Sequence, residues 1–169
     1  KNDRRNFLRK MAASSLLLTG ATSAFTKAER GEWVSLKNTK KYAANDNVQI
    51  AVIGAGGMGI ADAETAIAIP GVKLISACDL YTGNLEKAKS RWGKDIFTTM
   101  NYQEVLNRED VDAVIVATPD HWHQKISIDA LNKRKGVYCE KPMVHSINEG
   151  EALIEAQKTT KKTFMVGSQ

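Results

Sequence analysis

The sequence predicts an α/β protein in which helices cover both faces of a parallel sheet. From Val48 onward, short apolar runs alternate with longer segments of helical periodicity. Continuous apolar strands are typical of parallel sheets, because the helical connections bury both faces of such a sheet. A glycine-rich turn directly follows the first apolar run, and an aspartate ends the second. Together these observations predict a doubly wound α/β fold.

The candidate strands and helices follow one another in alternation. Residues 48–53 form the first apolar run, and the helix after it ends by Ile69, because Pro70-Gly71 breaks the helical pattern. Right-handed crossovers then predict the strand order 3-2-1-4-5-6. The remaining strands are predicted at 72–78, 96–97, 113–117, 136–139 and 163–166, and the remaining helices at 84–92, 102–107, 121–133 and 147–160.

The excess positive charge of the chain lies in its first 30 residues. The 169 residues include 24 Lys and Arg against 19 Asp and Glu, a formal net charge of +5. Residues 1–30 alone account for that +5, so residues 31–169 are balanced. A body without excess positive charge argues against a nucleic-acid partner, because nucleic acids are bound largely through their phosphates.

The N-terminus resembles a twin-arginine export signal. The stretch RRNFLR at 4–9 has two arginines, any residue, Phe, Leu and a basic residue, although Asp3 replaces the usual Ser or Thr. The apolar stretch that follows is too short and too polar for a stable membrane span. We therefore predict a signal peptide at 1–24, a linker at 25–46, one folded domain at 47–169, and a periplasmic or otherwise exported protein. The alternative is an amphipathic N-terminal helix of a cytosolic protein.

The two cysteines are predicted to be free and buried. Cys78 ends the second strand and Cys139 the fifth, which puts them three strand positions apart, or roughly 14 Å at about 4.8 Å per step. A disulfide needs Cα atoms within about 7 Å of each other. The Cys and His spacing also matches no zinc site, so no metal is predicted.

The glycine-rich turn at 54–59 reads GAGGMG, a G-x-G-x-x-G between the first strand and the first helix. Gly54 permits the tight turn, Gly56 lets the backbone approach a pyrophosphate, and Gly59 allows close packing of helix on strand. The N–H groups at the helix N-terminus would then bind the phosphates. The fold class predicted is thus a Rossmann-type dinucleotide-binding domain. Its predicted cofactor-binding residues in this turn are Gly54, Gly56, Gly57, Met58 and Gly59.

Asp79 ends the second strand and is the predicted ribose ligand. Its carboxylate can accept hydrogen bonds from the adenosine ribose hydroxyls and would repel a 2′-phosphate, which favours NAD over NADP. Lys87 or Arg91 remain available for a 2′-phosphate, so NADP stays open as the less favoured cofactor. The alternative interpretation of Asp79 is a turn or helix-cap residue.

The turn after the fourth strand reads ATPDHWH at 117–123. Ligands of doubly wound sheets bind outside the carboxyl ends of the strands, so Thr118, Pro119 and His121 are predicted to line the cofactor crevice. His123 lies in the first turn of the next helix and is a candidate catalytic residue, with a packing or capping role as the alternative. Trp122 is interpreted as a packing anchor of the helix.

The fifth strand ends in a charged turn, Glu140-Lys141-Pro142. The GAGGMG turn with its distal aspartate, the ATPDHWH turn and this EKP turn, in this order and spacing, resemble the N-terminal half of the Gfo/Idh/MocA oxidoreductases. That group includes glucose–fructose oxidoreductase and inositol dehydrogenase, and some of its members have twin-arginine leaders. The resemblance covers residues 47–169. It implies an NAD(P)-dependent enzyme that transfers hydride to or from a sugar, cyclitol or related polyol.

The resemblance also implies roles for the EKP turn. Lys141 matches the family's lysine beside the nicotinamide and the reacting hydroxyl, where burial would lower the lysine pKa toward a useful range. Glu140 is expected to steady the cofactor site and Pro142 to fix the backbone that aims the lysine. The predicted catalytic residues are therefore Lys141 and His123, and Glu140 and Lys141 join the predicted cofactor-binding residues. The alternative is that Lys141 is a solvated turn residue.

Members of the family have a second, C-terminal α+β domain. That domain binds substrate, supplies further catalytic residues and commonly forms homo-oligomers. The chain ends at Gln169, where the second domain would begin, so we expect a fragment that binds the dinucleotide without being active alone. An NAD-dependent glycosidase of the same superfamily is an alternative function, although that branch does not keep the lysine of the EKP turn. A non-enzymatic dinucleotide-binding module is a third interpretation.

Overall fold

The computed structural model describes residues 47–168. The predicted signal peptide at 1–24 and linker at 25–46 lie outside these residues. The strands are β1 (Val48–Ile53), β2 (Val72–Cys78), β3 (Phe97–Thr99), β4 (Ala113–Val116), β5 (Gly136–Glu140) and β6 (Phe164–Gly167). The helices are α1 (Gly57–Ile67), α2 (Thr82–Trp92), α3 (Tyr102–Leu106), α4 (His123–Asn132) and α5 (Gly150–Thr160).

The six strands form one parallel sheet in the order β3-β2-β1-β4-β5-β6, which confirms the predicted fold class and strand order. Ile53 of β1 lies opposite Cys78 of β2 on one side and Val116 of β4 on the other. The order in which the chain adds strands to the sheet reverses between β1 and β4, because β2 and β3 lie on one side of β1 and the later strands lie on the other. Ligands of doubly wound sheets bind at such a reversal, outside the carboxyl ends of the strands.

The helices cover both faces of the sheet, and each face has its own apolar cluster. On one face α1 and α2 pack through small residues such as Ala63 and Ala88, together with Ile50 and Val52 of β1. On the other face α3, α4 and α5 pack over side chains that include Ile53. Successive residues of β1 therefore point to opposite apolar clusters, which explains why the strands contain few polar residues.

The starts of three helices differ from the sequence prediction, and the other boundaries agree with it to within two residues. Helix α2 begins at Thr82, two residues before the predicted start, because the Asp79 carboxylate organises the backbone just before the helix. The predicted helix at 121–133 begins as a 3₁₀ turn over Asp120–Trp122, and α4 proper starts at His123. A similar 3₁₀ turn, Ile147–Glu149, precedes α5 and is closed by a capping box between Ser146 and Glu149.

Cys78 and Cys139 are both free and buried, which confirms the prediction. Burial is the main cause that raises the pKa of the Cys78 thiol to about 12, with the charges of Asp79 and Glu104 adding to it. Burial likewise raises the pKa of the Cys139 thiol to about 11. Both thiols are therefore protonated at neutral pH.

None of the helices within residues 47–168 has the length and apolar content needed to cross a bilayer. In the same part of the chain, no three His, Cys, Asp or Glu side chains converge in a way that could hold a metal ion.

Candidate functional site

A cavity of about 800 Å³ opens at the carboxyl ends of β1, β2 and β4. Its volume lies in the range typical of small-molecule and cofactor sites, and its position at the reversal of strand order is the one expected for a nucleotide. The predicted site residues that line it are Gly54, Gly56, Asp79, Thr118, Pro119 and His121.

The glycine turn lines the cavity through Gly54 and Gly56. Two residues of this turn, Gly54 and Gly59, leave no room for a side chain. Gly54 has φ of +93°, and a Cβ there would collide with the carbonyl group of Ala117. A Cβ on Gly59 would collide with the carbonyl oxygen of Gly54, so only glycine lets α1 start this close to β1. Gly56 and Gly57, in contrast, have open space in front of them.

The open space in front of the glycine turn fits a pyrophosphate. Helix α1 begins at Gly57, and its N-cap residue Gly56 offers no side chain to the first N–H groups of the helix. Unpaired N–H groups and the positive end of the helix dipole are the usual partners of a phosphate. The residues present therefore fit the dinucleotide that the sequence predicts.

Asp79 has the turn role that the sequence left open, and its role as ribose ligand stays a prediction. Its Oδ1 accepts a hydrogen bond from the backbone N–H of Tyr81 at 2.8 Å, and its Oδ2 accepts one from Nδ2 of Asn84 at 3.0 Å. These bonds make it a turn residue that organises the start of α2. Each carboxylate oxygen can accept a further hydrogen bond, and the side chain lines the cavity, so ribose hydroxyls remain within its chemistry.

The opposite wall of the cavity comes from the turn after β4. Thr118 and Pro119 line it as predicted, and the buried Oγ1 of Thr118 has no hydrogen-bond partner within residues 47–168. A buried hydroxyl without a partner beside a cavity can hydrogen-bond a polar ligand group. Trp122 was interpreted as a packing anchor, but it is 39% exposed and lines the cavity, with its ring edge-on to Tyr102 at 6.4 Å.

His123 lies beneath this wall and is only 2% exposed. Its Nε2 lies 2.7 Å from the carbonyl oxygen of Thr118, and its Nδ1 lies 2.7 Å from the carbonyl oxygen of Pro142. Both ring nitrogens are thus occupied by the backbone, and the ring does not line the cavity. This geometry corrects the prediction of His123 as a catalytic residue, because a general acid or base needs a nitrogen that reaches the substrate.

Glu140 is buried, but it does not line the cavity. It lies on the face of the sheet covered by α1, where Tyr138 donates a hydrogen bond to its Oε1 at 3.3 Å. Burial, and then the charge of Glu140, raise the pKa of the Asp62 carboxyl on α1. Glu140 thus pairs with the Asp62 carboxyl between the strand and the helix, and its expected role at the cofactor site stays a prediction.

Lys141 lies in an exposed turn directly after β5. The prediction that the Lys141 ammonium is buried is wrong for residues 47–168. The lysine lies beyond the carboxyl end of β5, where no described element covers it. The peptide bond between Lys141 and Pro142 is cis. Lys141 does not line the cavity, but its turn follows β5, the strand beside β4.

The sequence did not predict several residues that line the cavity, nor the pairing of Asp62, which lies outside it. Asp62 carried a signal, because it lies three residues after Gly59 and therefore on the buried side of α1. The bridge made by His123 carried no signal, because it joins two turns that are separated by a whole helix and strand. The missed residues that line the cavity include Leu80, Tyr81, Met100, Asn101 and Tyr102.

Comparison with known proteins identifies relatives that span most of the described residues. The family model GFO_IDH_MocA, described as an oxidoreductase family with an NAD-binding Rossmann fold, matches residues 48–168. A curated relative, glycosyl hydrolase family 109 protein 2 from Shewanella sp. strain ANA-3, is 30% identical over 180 residues, which cover 97% of this chain and 39% of that protein. The chain thus spans about two fifths of the length of such relatives.

Solved structures with the same fold are also similar in sequence. The myo-inositol 2-dehydrogenase of Lactobacillus plantarum is 32% identical with a TM-score of 0.67, and the match covers 72% of this chain and 36% of that one. The WlbA dehydrogenase of Chromobacterium violaceum, solved with NADH and UDP-GlcNAcA, is 25% identical with a TM-score of 0.68 and covers 74% and 36%.

Proposed function

The chain belongs to the Gfo/Idh/MocA oxidoreductase family, and from that premise we propose that it is the NAD-binding part of an oxidoreductase acting on a sugar, cyclitol or related polyol. One observation carries the proposal. The turn that contains Lys141 is fastened to the wall of the cofactor cavity, because the His123 ring contacts the carbonyl oxygens of both Pro142 and Thr118. The inositol dehydrogenase among the similar structures supports a polyol substrate.

The residues of the site divide the work between binding and proton transfer. Bound NAD supplies hydride-transfer chemistry. The N–H groups at the start of α1 hold the pyrophosphate, and the Asp79 carboxylate accepts hydrogen bonds from ribose hydroxyls. Lys141 is exposed at the edge of the sheet, so its ammonium can hydrogen-bond the reacting hydroxyl and assist the movement of its proton.

The test is to remove the Lys141 amine in the full-length protein. With NAD and a panel of cyclitols and sugars, absorbance at the NADH band should rise for at least one substrate. Lys141→Ala should lower kcat by about 100-fold or more while NAD affinity stays nearly unchanged, since the lysine acts in proton transfer. The matched control is Lys133→Ala, an exposed lysine that follows α4 and does not line the cavity. Turnover that survives Lys141→Ala would contradict the role of this lysine.

A second candidate function is suggested by the curated relatives, which are named glycosyl hydrolase family 109 proteins. In this alternative, NAD serves a transient oxidation at a sugar carbon, followed by elimination and re-reduction. NAD-dependent release of nitrophenol from aryl glycosides, without net accumulation of NADH, would favour it. The presence of Lys141 favours the oxidoreductase, because the glycosidase branch does not keep that lysine.

A non-enzymatic dinucleotide-binding module is the third candidate. It predicts a full-length protein that binds NAD but shows neither substrate-dependent NADH formation nor glycoside cleavage. Both assays use the same purified protein, so one preparation distinguishes the three functions.

We also propose that the protein is exported through the twin-arginine pathway and forms a homo-oligomer at full length. The support is the RRNFLR stretch at 4–9 and the resemblance to exported, oligomeric family members. Replacing Arg4 and Arg5 with lysines should retain the protein in the cytoplasm, which cell fractionation measures. Export that persists in this variant, or a monomer in light scattering, would contradict the respective proposal.

A further inference from the structure

The His123 side chain bridges two turns that the proposed function uses separately. One acceptor, the Thr118 carbonyl oxygen, belongs to the turn that lines the cofactor cavity. The other, the Pro142 carbonyl oxygen, belongs to the residue that directly follows Lys141. Both contacts are 2.7 Å long, and the ring is almost fully shielded from water. A single buried ring thus sets the distance between the cavity wall and the lysine turn.

The two contacts of the ring join backbone to backbone through one side chain. A carbonyl oxygen only accepts hydrogen bonds, and a ring nitrogen of histidine donates one when it carries a proton. Which nitrogen donates depends on the tautomer of the ring. Within residues 47–168 no salt bridge involves His123, so the two carbonyl oxygens are the polar partners of its ring.

Two simpler roles explain the geometry less well. A packing residue needs shape alone and would not bring both ring nitrogens onto acceptors. A catalytic histidine needs a nitrogen that reaches the substrate, and neither nitrogen of His123 is free.

We propose that His123 is a positioning residue whose two ring contacts hold the Lys141 turn against the wall of the cofactor cavity. The effect on turnover rests on the proposed oxidoreductase function, whereas the bridge and the order of the turn do not. Loss of the bridge frees the Pro142 carbonyl and lets the lysine leave its working position. A displacement of about 1 Å at an active site can cost about 100-fold in rate.

The first experiment examines the ring itself in the full-length protein labelled with ¹⁵N-histidine. We expect a His123 ring N–H signal that exchanges slowly with water, assigned by its disappearance in His123→Gln. A ring N–H that exchanges rapidly with water would overturn the bridge. This measurement needs no substrate, so it stands even if no reaction is found.

The second experiment separates positioning from general stability. His123→Leu, Lys141→Ala and the double variant are compared in kcat, in NAD affinity and in amide hydrogen exchange of residues 141–146. Because His123 acts through Lys141, we expect the double variant to be no slower than Lys141→Ala alone. Additive losses in kcat would overturn the proposal. Should His123→Leu fail to fold, His123→Gln, which keeps one donor, replaces it with a smaller loss.

The control for both experiments is His145→Gln. His145 lies in the same loop and is exposed, and within the described residues its hydrogen bond runs from the backbone N–H to Oε2 of Glu149. It should leave kcat and the exchange of residues 141–146 unchanged. If no turnover is detected for any substrate, faster exchange of the Lys141 turn in the His123 variants supports the bridge, and unchanged exchange overturns it.

Discussion

Single side chains at this site often hold the protein together and prepare it for a ligand at the same time. Asp79 shows this in its hydrogen bonds, which organise the start of α2 while the carboxylate still faces the cavity. Asp62 and Glu140 show a different use of carboxyl groups, because they meet away from the cavity, where burial and then the charge of Glu140 raise the pKa of Asp62. A substitution at Asp79 therefore acts on binding and structure together, whereas one at Asp62 acts on stability.

Asp79→Ala should weaken NAD binding by about tenfold, because hydrogen bonds to a charged group contribute about 1.5 kcal/mol or more. It should also narrow the preference for NAD over NADP, since the repulsion of a 2′-phosphate disappears. Fluorescence titration with each dinucleotide measures both effects. Glu86→Ala removes the same charge from an exposed position of α2 and serves as the control. Equal NAD affinity in both variants would contradict this role of Asp79.

Asp62 should make the stability of the domain depend on pH. Its pKa is raised in the folded protein, first by burial and then by the charge of Glu140. The folded protein thus binds this proton more tightly than the unfolded chain does. The stabilisation is complete below the ordinary carboxyl pKa and is lost as the pH rises through the raised pKa.

Asp62→Asn tests that dependence, because the amide is neutral at every pH and can donate a hydrogen bond to Glu140. At neutral pH we expect the free energy of unfolding to increase by about 1 kcal/mol, the usual net value of such a bond. Urea denaturation at several pH values from acidic to neutral should show that the variant lacks the decrease in the free energy of unfolding that Asp62 causes as the pH rises. Glu86→Gln is the control, and an unchanged pH dependence in Asp62→Asn would refute the pairing.

At the scale of elements, the glycine turn and α1 show that a single close contact determines how near to a strand a helix can begin. Gly57 and Gly59 lie in the first turn of α1, yet their surroundings differ completely. A side chain at Gly59 would meet the backbone of Gly54, whereas one at Gly57 would meet nothing within 4 Å. The close packing of helix on strand therefore depends on one position of the motif more than on its glycine content.

Gly59→Ala should destabilise the domain by about 1–3 kcal/mol, because the new methyl group forces the turn and the helix apart. Gly57→Ala should keep or increase stability by up to about 1 kcal/mol, since alanine favours the helix over glycine. Thermal unfolding without cofactor compares the two directly. A similar loss of stability in both variants would contradict the importance of the close contact between position 59 and the Gly54 backbone.

At the scale of the whole molecule, residues 47–168 contain a complete six-stranded sheet with helices on both faces. Each face has its own apolar cluster, and the cofactor cavity lies between elements of this same unit. A domain with its own core on both faces of the sheet is expected to fold independently. The binding half of the site should then be separable from the rest of the protein.

A protein of residues 47–168 alone should unfold cooperatively and bind NAD, while showing no turnover of polyols. Circular dichroism and NAD titration measure the two properties. Asp79→Ala in the same fragment should weaken NAD binding as it does in the full chain. Absence of a cooperative transition would show that residues outside 47–168 are needed for the fold.

The sequence by itself determined the parallel sheet and its strand order. It also determined the place of the glycine turn after β1, the place of Asp79 after β2 and the separation of the two cysteines. These follow from local patterns, because apolar runs, glycine spacing and the handedness of crossovers act over neighbouring segments. The cavity wall at Thr118 and Pro119 was predictable for the same reason, since it depends only on where a strand ends. Element boundaries were less certain where a 3₁₀ turn or a carboxylate organised the first helical turn.

Only the tertiary structure decided the surroundings of the charged and titratable residues. His123 joins the Thr118 and Pro142 turns, Asp62 meets Glu140 across the face of the sheet, and Lys141 stays exposed at its edge. Each of these contacts links segments that are far apart in the chain. Their protonation and reach depend on burial and on the partner that packing brings near, and no spacing along the sequence contains that information.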